Sequence, residues 1–385
     1  MKQTKPARMI LLRKSAFLIS VLSLISLSIF IFLKGPSSGI LRVIILFEVS
    51  FFTCVLLVPA MSWLSEKTGV LDYPNNRKIH AVPMPLLGGV AVFVSFFVSH
   101  LIQPEFTREM IGIFIAALLI LVVGIIDDSS KKGLSSKIRL IAQFTACLVV
   151  ISSGVVLKLY PMTWWGKSIS IVLSIVWIMG ITNATNFLDG MDGLAAGLGA
   201  VASGVFFIIA YRLNSPYLGF VSITLCGACC GFLIFNFRPA SIFLGDSGAT
   251  FIGFTLACLG LLGDWSEGNP FISFSVPVVV LGVPIFDMLY TTIERFATGK
   301  VHNIPQWFSY TGKDHFHHRL SDHGLSYFQT VIFIYFISLT LGFEAVQIAT
   351  TTSTVNMALS LAQTAFMFLI ITVLMYFRSN GKTPS

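Results

Sequence analysis

The chain has 385 residues, of which only 11% are charged, against about 25% in soluble proteins. Its mean hydropathy is +0.85, so the composition excludes a soluble globular protein and indicates an integral membrane protein. The formal net charge of +8 indicates membrane orientation and attraction to anionic lipid headgroups, and no nucleic acid is expected as a partner.

Stretches of about 20 mostly apolar residues predict twelve transmembrane helices. The first follows a basic N-terminal segment but has no small-residue cleavage site, so we interpret it as a retained helix that begins in the cytoplasm. If it lies differently, the count falls to eleven. The approximate ranges are 16–33, 40–63, 87–103, 110–126, 139–158, 168–185, 194–211, 217–236, 248–263, 271–290, 327–347 and 355–377.

The predicted fold is therefore an all-α polytopic bundle of about 11–12 transmembrane helices with cytoplasmic catalytic loops. We divide it into an N-terminal cytoplasmic segment with an additional helix (1–38), a membrane domain with the active site (39–326), and C-terminal helices with a short tail (327–385). All six cysteines fall within predicted helices, which indicates apolar packing rather than disulfides or a metal cluster.

Charge patterning supports this topology. With the N-terminus inside, 19 of the 25 Lys and Arg residues fall in inside loops, as expected for cytoplasmic segments. The same loops hold 11 of the 17 acidic residues and six of the seven histidines. A nucleotide-sugar transporter would instead show internal repeats and polar groups near the midplane. Glu48, in the middle of a predicted helix, stays open between a structural and a functional role.

Carboxylates lie at the helix ends of four inside loops. Each has a structural explanation by itself, as a turn residue or a helix cap. Together they favour Mg²⁺, because this ion binds one or two carboxylates plus the phosphate oxygens of a substrate. The residues are Asp127 and Asp128 in GIIDDSSKKGLSSK, Asp189 and Asp192 in NATNFLDGMDG, Asp246 in NFRPASIFLGDSG, and Asp287 in PIFDMLYTTIERF.

Basic residues accompany the acids in the segments RKIHAVPMPLLGG, SSKKGLSSKIR and KDHFHHRL. Cations beside acids at the headgroup level suit a nucleotide diphosphate together with a lipid phosphate. The histidines of the last segment could form a zinc site, but their spacing favours phosphate contact and proton handling.

Five motifs occur in order between Asp72 and Leu320: DYPNNRKIHAVPMPLLGG, GIIDDSSKKGLSSK, NATNFLDGMDGLAAGL, NFRPASIFLGDSG and DHFHHRL. They cover about two thirds of the chain and resemble the polyprenyl-phosphate N-acetylhexosamine-1-phosphate transferase family. The resemblance implies transfer of a sugar-1-phosphate from a UDP-N-acetylhexosamine to undecaprenyl phosphate, with release of UMP, at the cytoplasmic face of the bacterial inner membrane. It implies Mg²⁺ as the cofactor, with Mn²⁺ as a substitute, and a homodimer is among the implied assemblies.

Two features resemble one branch of that family. The segment HFHH is followed by Arg319-Leu320, where the peptidoglycan branch has three consecutive histidines and then Phe, and Leu188 precedes Asp189. Both are typical of enzymes that use UDP-N-acetylglucosamine to start O-antigen, common-antigen or teichoic-acid-linkage synthesis. Transfer of phospho-N-acetylmuramoyl-pentapeptide is the alternative. Other UDP-N-acetylhexosamines stay open, because the segment QWFSYTGK departs from the family pattern.

Carried over by position, the resemblance implies catalytic roles for Asp127 and Asp128, and Mg²⁺ binding by Asp246 and Asp128. It implies that lipid phosphate is bound by Lys132, Lys137 and Arg139. We expect direct attack by the lipid phosphate, with a covalent intermediate on Asp127 as the alternative. The implied nucleotide-sugar-binding residues are Arg77, Lys78, His80, Asn186, Asp189, Gly190, Asp192, Asn236, Phe243, His315, His317, His318 and Arg319.

Overall fold

The computed structural model describes residues 19–379 except 25, 28–29, 31–38, 75–81, 103–105, 131–132, 161–162, 267–268, 304–305, 308–309, 311 and 313. Four of the expected site residues, Arg77, Lys78, His80 and Lys132, lie outside the described residues. In chain order the elements are α1 (Gly39–Thr68), β1 (Leu71–Asp72), β2 (Met84–Pro85), α2 (Gly88–His100), α3 (Arg108–Ser129), α4 (Ser136–Ser153), α5 (Trp164–Leu188), α6 (Leu194–Arg212), α7 (Pro216–Asn236), α8 (Gly245–Leu262), α9 (Pro270–Val280), α10 (Gly282–Ala297), α11 (Phe316–Asp322), α12 (Tyr327–Ala349) and α13 (Thr354–Ser379).

Helices dominate, and the prediction of an all-α polytopic membrane protein is confirmed. Within the described residues, nine helices are long and apolar enough to cross a membrane: α1, α3 to α8, α12 and α13. Eleven of the twelve predicted segments correspond to helices of the structure. The first predicted segment, 16–33, lies partly outside the described residues.

Two predicted spans differ from a simple transmembrane helix. α2 has 13 residues, about 20 Å of helix, which is short of the roughly 30 Å of a hydrocarbon core. The segment predicted as one helix at 271–290 is broken into α9 and α10, which are bent by 77°. Pro284 has no amide hydrogen to donate to the carbonyl of Val280, so the helical hydrogen bonds are interrupted at the break.

The strands β1 and β2 pair antiparallel, with Leu71 opposite Pro85 and Asp72 opposite Met84. The sequence did not predict this small sheet. Phe243 N donates to Pro85 O at 2.8 Å, and Gly89 N donates to Leu244 O at 2.9 Å. These bonds join the start of α2 to the loop that precedes α8, so two of the predicted functional loops are held together.

α8 lies at the centre of the bundle. In its apolar window 83% of the residues are buried, against 11% in α13 at the periphery. α8 packs against α3, α5 and α2, and α7 packs against α6 and α1. The loops predicted to be inside meet at one end of this bundle. A separate cavity of about 400 Å³ lies elsewhere, lined by segments around 157–159, 213 and 260–274.

The crossing of α1 and α7 depends on two glycines, Gly227 and Gly231, which are spaced as in a GxxxG motif. A Cβ added at Gly227 would lie 2.6 Å from the backbone oxygen of Phe47, and one added at Gly231 would lie 2.5 Å from that of Phe51. The helix backbones therefore approach each other at positions where only glycine fits.

Replacement of Gly231 with Ala should force these backbones apart and destabilise the fold by about 1–3 kcal/mol, as overpacking of a tight core does. Thermal unfolding in detergent measures this loss. Gly219→Ala on the same helix is the control, because a Cβ there meets only side-chain atoms at ordinary distances of 3.7 Å or more. Equal melting temperatures for the two variants would contradict this account of the crossing.

Candidate active site

A cavity of about 1440 Å³ opens where the ends of α1, α3, α5, α7 and α8 meet. Ten of the residues expected from the sequence line it, although they come from segments more than 190 residues apart. They are Asp127, Asp128, Arg139, Asp189, Gly190, Asp192, Asn236, Phe243, Asp246 and His318.

One arginine joins two of these carboxylates. Arg139 Nη1 lies 3.2 Å from Asp127 Oδ2 and 3.1 Å from Asp246 Oδ2. Asp127 is buried, and its other oxygen accepts a hydrogen bond from Leu134 N. Arg139, expected to bind lipid phosphate, therefore already offsets part of the negative charge of the site, and only its remaining donors can reach a phosphate.

Asp128 closes the N-terminus of α8. Its Oδ1 accepts from Asp246 N at 2.9 Å, and its Oδ2 accepts from Ser247 N at 3.1 Å. Leu244, the residue before α8, provides no side-chain cap, so a carboxylate from α3 performs that function. Gly245 has φ of +75°, and a Cβ there would collide with Asp128 and Leu86. Both carboxylate oxygens of Asp128 are thus already hydrogen-bonded, and only their remaining lone pairs could bind a metal ion.

Asp189 and Asp192 lie in the turn between α5 and α6. Desolvation raises the pKa of Asp189 well above its usual value, and the charges of Asp246, Asp128 and Asp192 act in the same direction. Asp192 Oδ2 accepts from Ala240 N at 3.2 Å. Carboxylates that raise one another's proton affinity form a site where a cation is favourable.

Asn236 has a structural role in this turn. Its Oδ1 accepts from Gly193 N at 2.9 Å, and its Nδ2 donates to Ile242 O at 3.0 Å. Gly193 adopts φ of +83°, and Tyr335 OH donates to its carbonyl at 2.6 Å. The side-chain amide of Asn236 thus fastens two loops of the cavity to each other, while its contact with a nucleotide stays a prediction.

The histidines of α11 reach the site from the far end of the sequence. His318 lines the cavity, and His317 is buried against Gly190, where a Cβ would collide with its ring. Neither ring nitrogen of His317 has a partner among the described residues. Burial lowers the pKa of His317 well below its usual value, and the charges of His318 and His315 lower it further. His317 therefore stays neutral near pH 7.

The other expected residues that the structure describes do not line the large cavity. Asn186 lines a cavity of about 60 Å³ next to Arg139 and Asp246, and its buried Oδ1 has no partner within the described part of the chain. Lys137 is exposed outside both cavities. His315 contacts the buried Asp287, and Arg319 pairs with the partly exposed Glu294. Contact of these two side chains with a nucleotide sugar stays a prediction.

Arg238 and Tyr327 are among the lining residues that the sequence analysis did not single out. The guanidinium carbon of Arg238 lies 4.2 Å from the centre of the Tyr327 ring. Arg238 forms no ion pair with any described residue. A signal for Arg238 existed, because it is the only basic residue of its loop, whereas nothing in the sequence placed Tyr327 beside it.

Replacement of Asp128 with Ala should destabilise the protein by about 1–3 kcal/mol, because two backbone donors of α8 lose their side-chain acceptor. Asp128→Asn, which keeps one acceptor oxygen, should lose less. Thermal unfolding in detergent measures both. The control is Asp264→Ala, since Asp264 is exposed and its Lys158 partner is 3.9 Å away. An Asp128→Ala protein as stable as that control would contradict the capping role.

The family model of glycosyl transferase family 4 matches residues 110–264. The chain is 32% identical over 339 residues to a probable undecaprenyl-phosphate N-acetylglucosaminyl 1-phosphate transferase of Bacillus subtilis, an alignment that covers 86% of this chain and 92% of the relative. It is 32% identical over 311 residues to a decaprenyl-phosphate N-acetylglucosaminephosphotransferase of Mycobacterium tuberculosis, which covers 71% and 74% of the two chains. A phospho-N-acetylmuramoyl-pentapeptide-transferase of Halalkalibacterium halodurans is 29% identical over 245 residues, or 58% and 74%. The chain therefore belongs to the polyprenyl-phosphate N-acetylhexosamine-1-phosphate transferase family.

Proposed function

We propose that this protein transfers N-acetylglucosamine-1-phosphate from UDP-N-acetylglucosamine to a polyprenyl phosphate such as undecaprenyl phosphate, with release of UMP. The observation that carries the proposal is the meeting of five carboxylates around one cavity at the helix ends: Asp127, Asp128, Asp189, Asp192 and Asp246. At about 1440 Å³ the cavity exceeds the usual 300–1,000 Å³ of a ligand pocket, which leaves room for a nucleotide sugar and a second phosphate.

The choice of N-acetylglucosamine rests on two observations. The Bacillus and Mycobacterium relatives named for this sugar are 32% identical to the chain, whereas the phospho-N-acetylmuramoyl-pentapeptide-transferases are 25–30% identical. The segment HFHHRL also lacks the three consecutive histidines expected for the latter branch. The product is then a lipid-linked diphosphate sugar that starts a cell-surface polysaccharide.

The donor set of the cavity fits Mg²⁺. Among the described residues, no group of three or more His, Cys, Asp or Glu side chains is arranged so that it could hold a metal ion by itself. One or two carboxylates around an open position are what Mg²⁺ uses when substrate phosphates complete its shell, and Asp246 and Asp189 are the residues that would hold it. When bound, the ion supplies positive charge that offsets the charge of the diphosphate.

The chain's own residues bind and orient the two substrates. Arg139, held by its ion pair with Asp127, binds the attacking phosphate in line with the β-phosphorus, and no base is needed because this phosphate is already ionised. Phe243 stacks on the uracil, and Gly190 lets the donor approach the backbone. Arg238 and His318 contact the diphosphate and stabilise the charge that develops on UMP.

The site would face the cytoplasm of a bacterial inner membrane. The support is the distribution of Lys and Arg, since 19 of 25 lie in the loops predicted to be on the same side as the cavity. A soluble UDP-sugar and a membrane-anchored acceptor meet only at such a boundary, which explains carboxylates at the ends of apolar helices.

Purified protein with polyprenyl phosphate, Mg²⁺ and radiolabelled UDP-N-acetylglucosamine should form labelled, organic-extractable lipid. Asp127→Asn and Asp246→Asn should each reduce the rate by about 100-fold or more, because positioning and electrostatics provide most of this catalysis. A chelator should stop the reaction, and added Mg²⁺ should restore it. Asp264→Asn is the matched control and should retain the wild-type rate.

The outcomes separate two questions. Product from another UDP-sugar but none from UDP-N-acetylglucosamine would overturn the sugar assignment and keep the reaction class. No product from any UDP-sugar would overturn the proposed function.

Arg238→Gln should raise the KM for the UDP-sugar by about tenfold, the value of one charge-assisted hydrogen bond. The KM for polyprenyl phosphate should not change, because Arg238 lines the cavity on the side of Asp192 and Tyr327 rather than beside Asp127. Arg212→Gln is the control, because Arg212 ends α6 at the end away from the Asp192 turn and does not line the cavity. A higher KM for the lipid alone would assign Arg238 to the acceptor and contradict this placement.

A further inference from the structure

Three charged residues and a histidine that do not line the cavity are buried beneath α11. Asp287, Arg295, Asp314 and His315 are 0%, 2%, 6% and 8% exposed. Burial of charged groups is costly unless they are paired and hydrogen-bonded. The four side chains bond to one another, so their arrangement fixes the segments that carry them.

Arg295 binds Asp314 through two parallel hydrogen bonds. Arg295 Nε donates to Asp314 Oδ2 at 2.8 Å, and Nη2 donates to Oδ1 at 2.7 Å. Although burial opposes ionisation of Asp314, the hydrogen bonds and charge of Arg295 outweigh it and hold the pKa below its usual value. Arg319 Nε also donates to the backbone oxygen of Asp314 at 2.7 Å. This residue is thus held by both its side chain and its backbone.

His315 connects this pair to Asp287. Its Nδ1 lies 2.8 Å from Asp287 Oδ2, and its Nε2 lies 3.2 Å from Arg295 Nη2. Since a guanidinium only donates, Nε2 must accept and the ring proton belongs on Nδ1, which donates to Asp287. Asp287 Oδ1 also accepts from Phe316 N at 2.5 Å. The first residues of α11 are therefore bonded at both the side chain and the backbone.

The two residues that hold α11 lie on one face of α10. Asp287, Thr291 and Arg295 recur every four residues and are all buried. The opposite face of α10 is exposed and apolar at Leu289, Ile293 and Phe296. α10 thus presents a polar face to α11. Asp287, Thr291 and Arg295 themselves do not line the cavity.

We propose that Asp287 and Arg295 are positioning residues for the transfer reaction, which hold α11 so that His317 packs on Gly190 and His318 faces the cavity. The proposal rests on the proposed function and deepens it, since His315 is the residue through which Asp287 and Arg295 hold α11. In this proposal His315 does not contact the substrate; it bonds to Asp287 and to Arg295. A displacement of α11 by about 1 Å would suffice to reduce the rate by about 100-fold.

The test is the kinetics of Arg295→Met. Its kcat should fall by about 100-fold while the KM for polyprenyl phosphate stays within a factor of about two. Arg295→Lys, which keeps the charge but not the two-pronged geometry, should recover part of the loss. In a variant that also contains His318→Ala, Arg295→Met should cause little further loss, because both changes act through the same group.

Lys300→Met is the matched control. Lys300 is exposed and pairs with the half-buried Glu294 at 3.7 Å, near the same helix end, and its loss should leave kcat unchanged. If Arg295→Met does not fold, Arg295→Met combined with Asp314→Asn removes both charges of the pair and is measured in its place. Wild-type kcat in a folded variant, or losses that simply multiply with those of His318→Ala, would overturn the proposal.

Hydrogen exchange separates this inference from the proposed function. Amides of 314–322 should exchange faster in the Arg295→Met protein than in the wild type or in Lys300→Met. If the wild type transfers no sugar phosphate, the proposed function fails, and faster exchange would still show that Arg295 holds α11. Unchanged exchange would overturn the positioning role whatever the activity.

Discussion

The bridge from Arg139 to Asp127 and Asp246 is the interaction on which the site depends. It joins two carboxylates that are 119 residues apart in the sequence, at distances of 3.2 and 3.1 Å from one guanidinium nitrogen. Several acidic groups in one cavity would otherwise repel one another at a membrane boundary, where the dielectric constant falls and charge is costly. Arg139 offsets part of that charge and leaves the rest available for a cation.

The backbone around this bridge is held by a second carboxylate contact. Asp128 accepts hydrogen bonds from the first amides of α8, so α3 and α8 are joined at the residue next to Asp127. Since α8 is the most buried of the long helices, the position of Asp246 is set by the core of the bundle. The site therefore has a rigid side, formed by helix ends, and a side formed by loops.

Arginines act in two different ways around the site. Arg139 and Arg238 face the cavity, where substrates would compete for their donors. Arg295 is buried below the cavity, and its hydrogen-bond partners are Asp314 and His315. The distinction is one of burial: a buried pair of this kind fixes geometry, whereas a cavity-facing cation can exchange partners when an anion enters.

Apolar stretches and motifs in the sequence determined the helices of this protein and many of its site residues. Eleven predicted segments correspond to helices, because a helix that spans hydrocarbon needs a long apolar run that is visible in the sequence. The motifs located Asp127, Asp189 and Asp246, and their shared side of the membrane followed from the alternation of loops. The bend at Pro284 could have been suspected from the proline, although its angle could not.

Tertiary structure alone decided which polar groups face the cavity. HFHH looks like one cluster in the sequence, yet His315 bonds to Asp287 and Arg295, His317 is buried on Gly190, and His318 lines the cavity. Neighbours on a short helix point in different directions, and what each meets depends on helices that are distant in sequence. Long apolar stretches thus determined the helices, while the pairing of buried charges, which depends on distances between helices, required the folded chain.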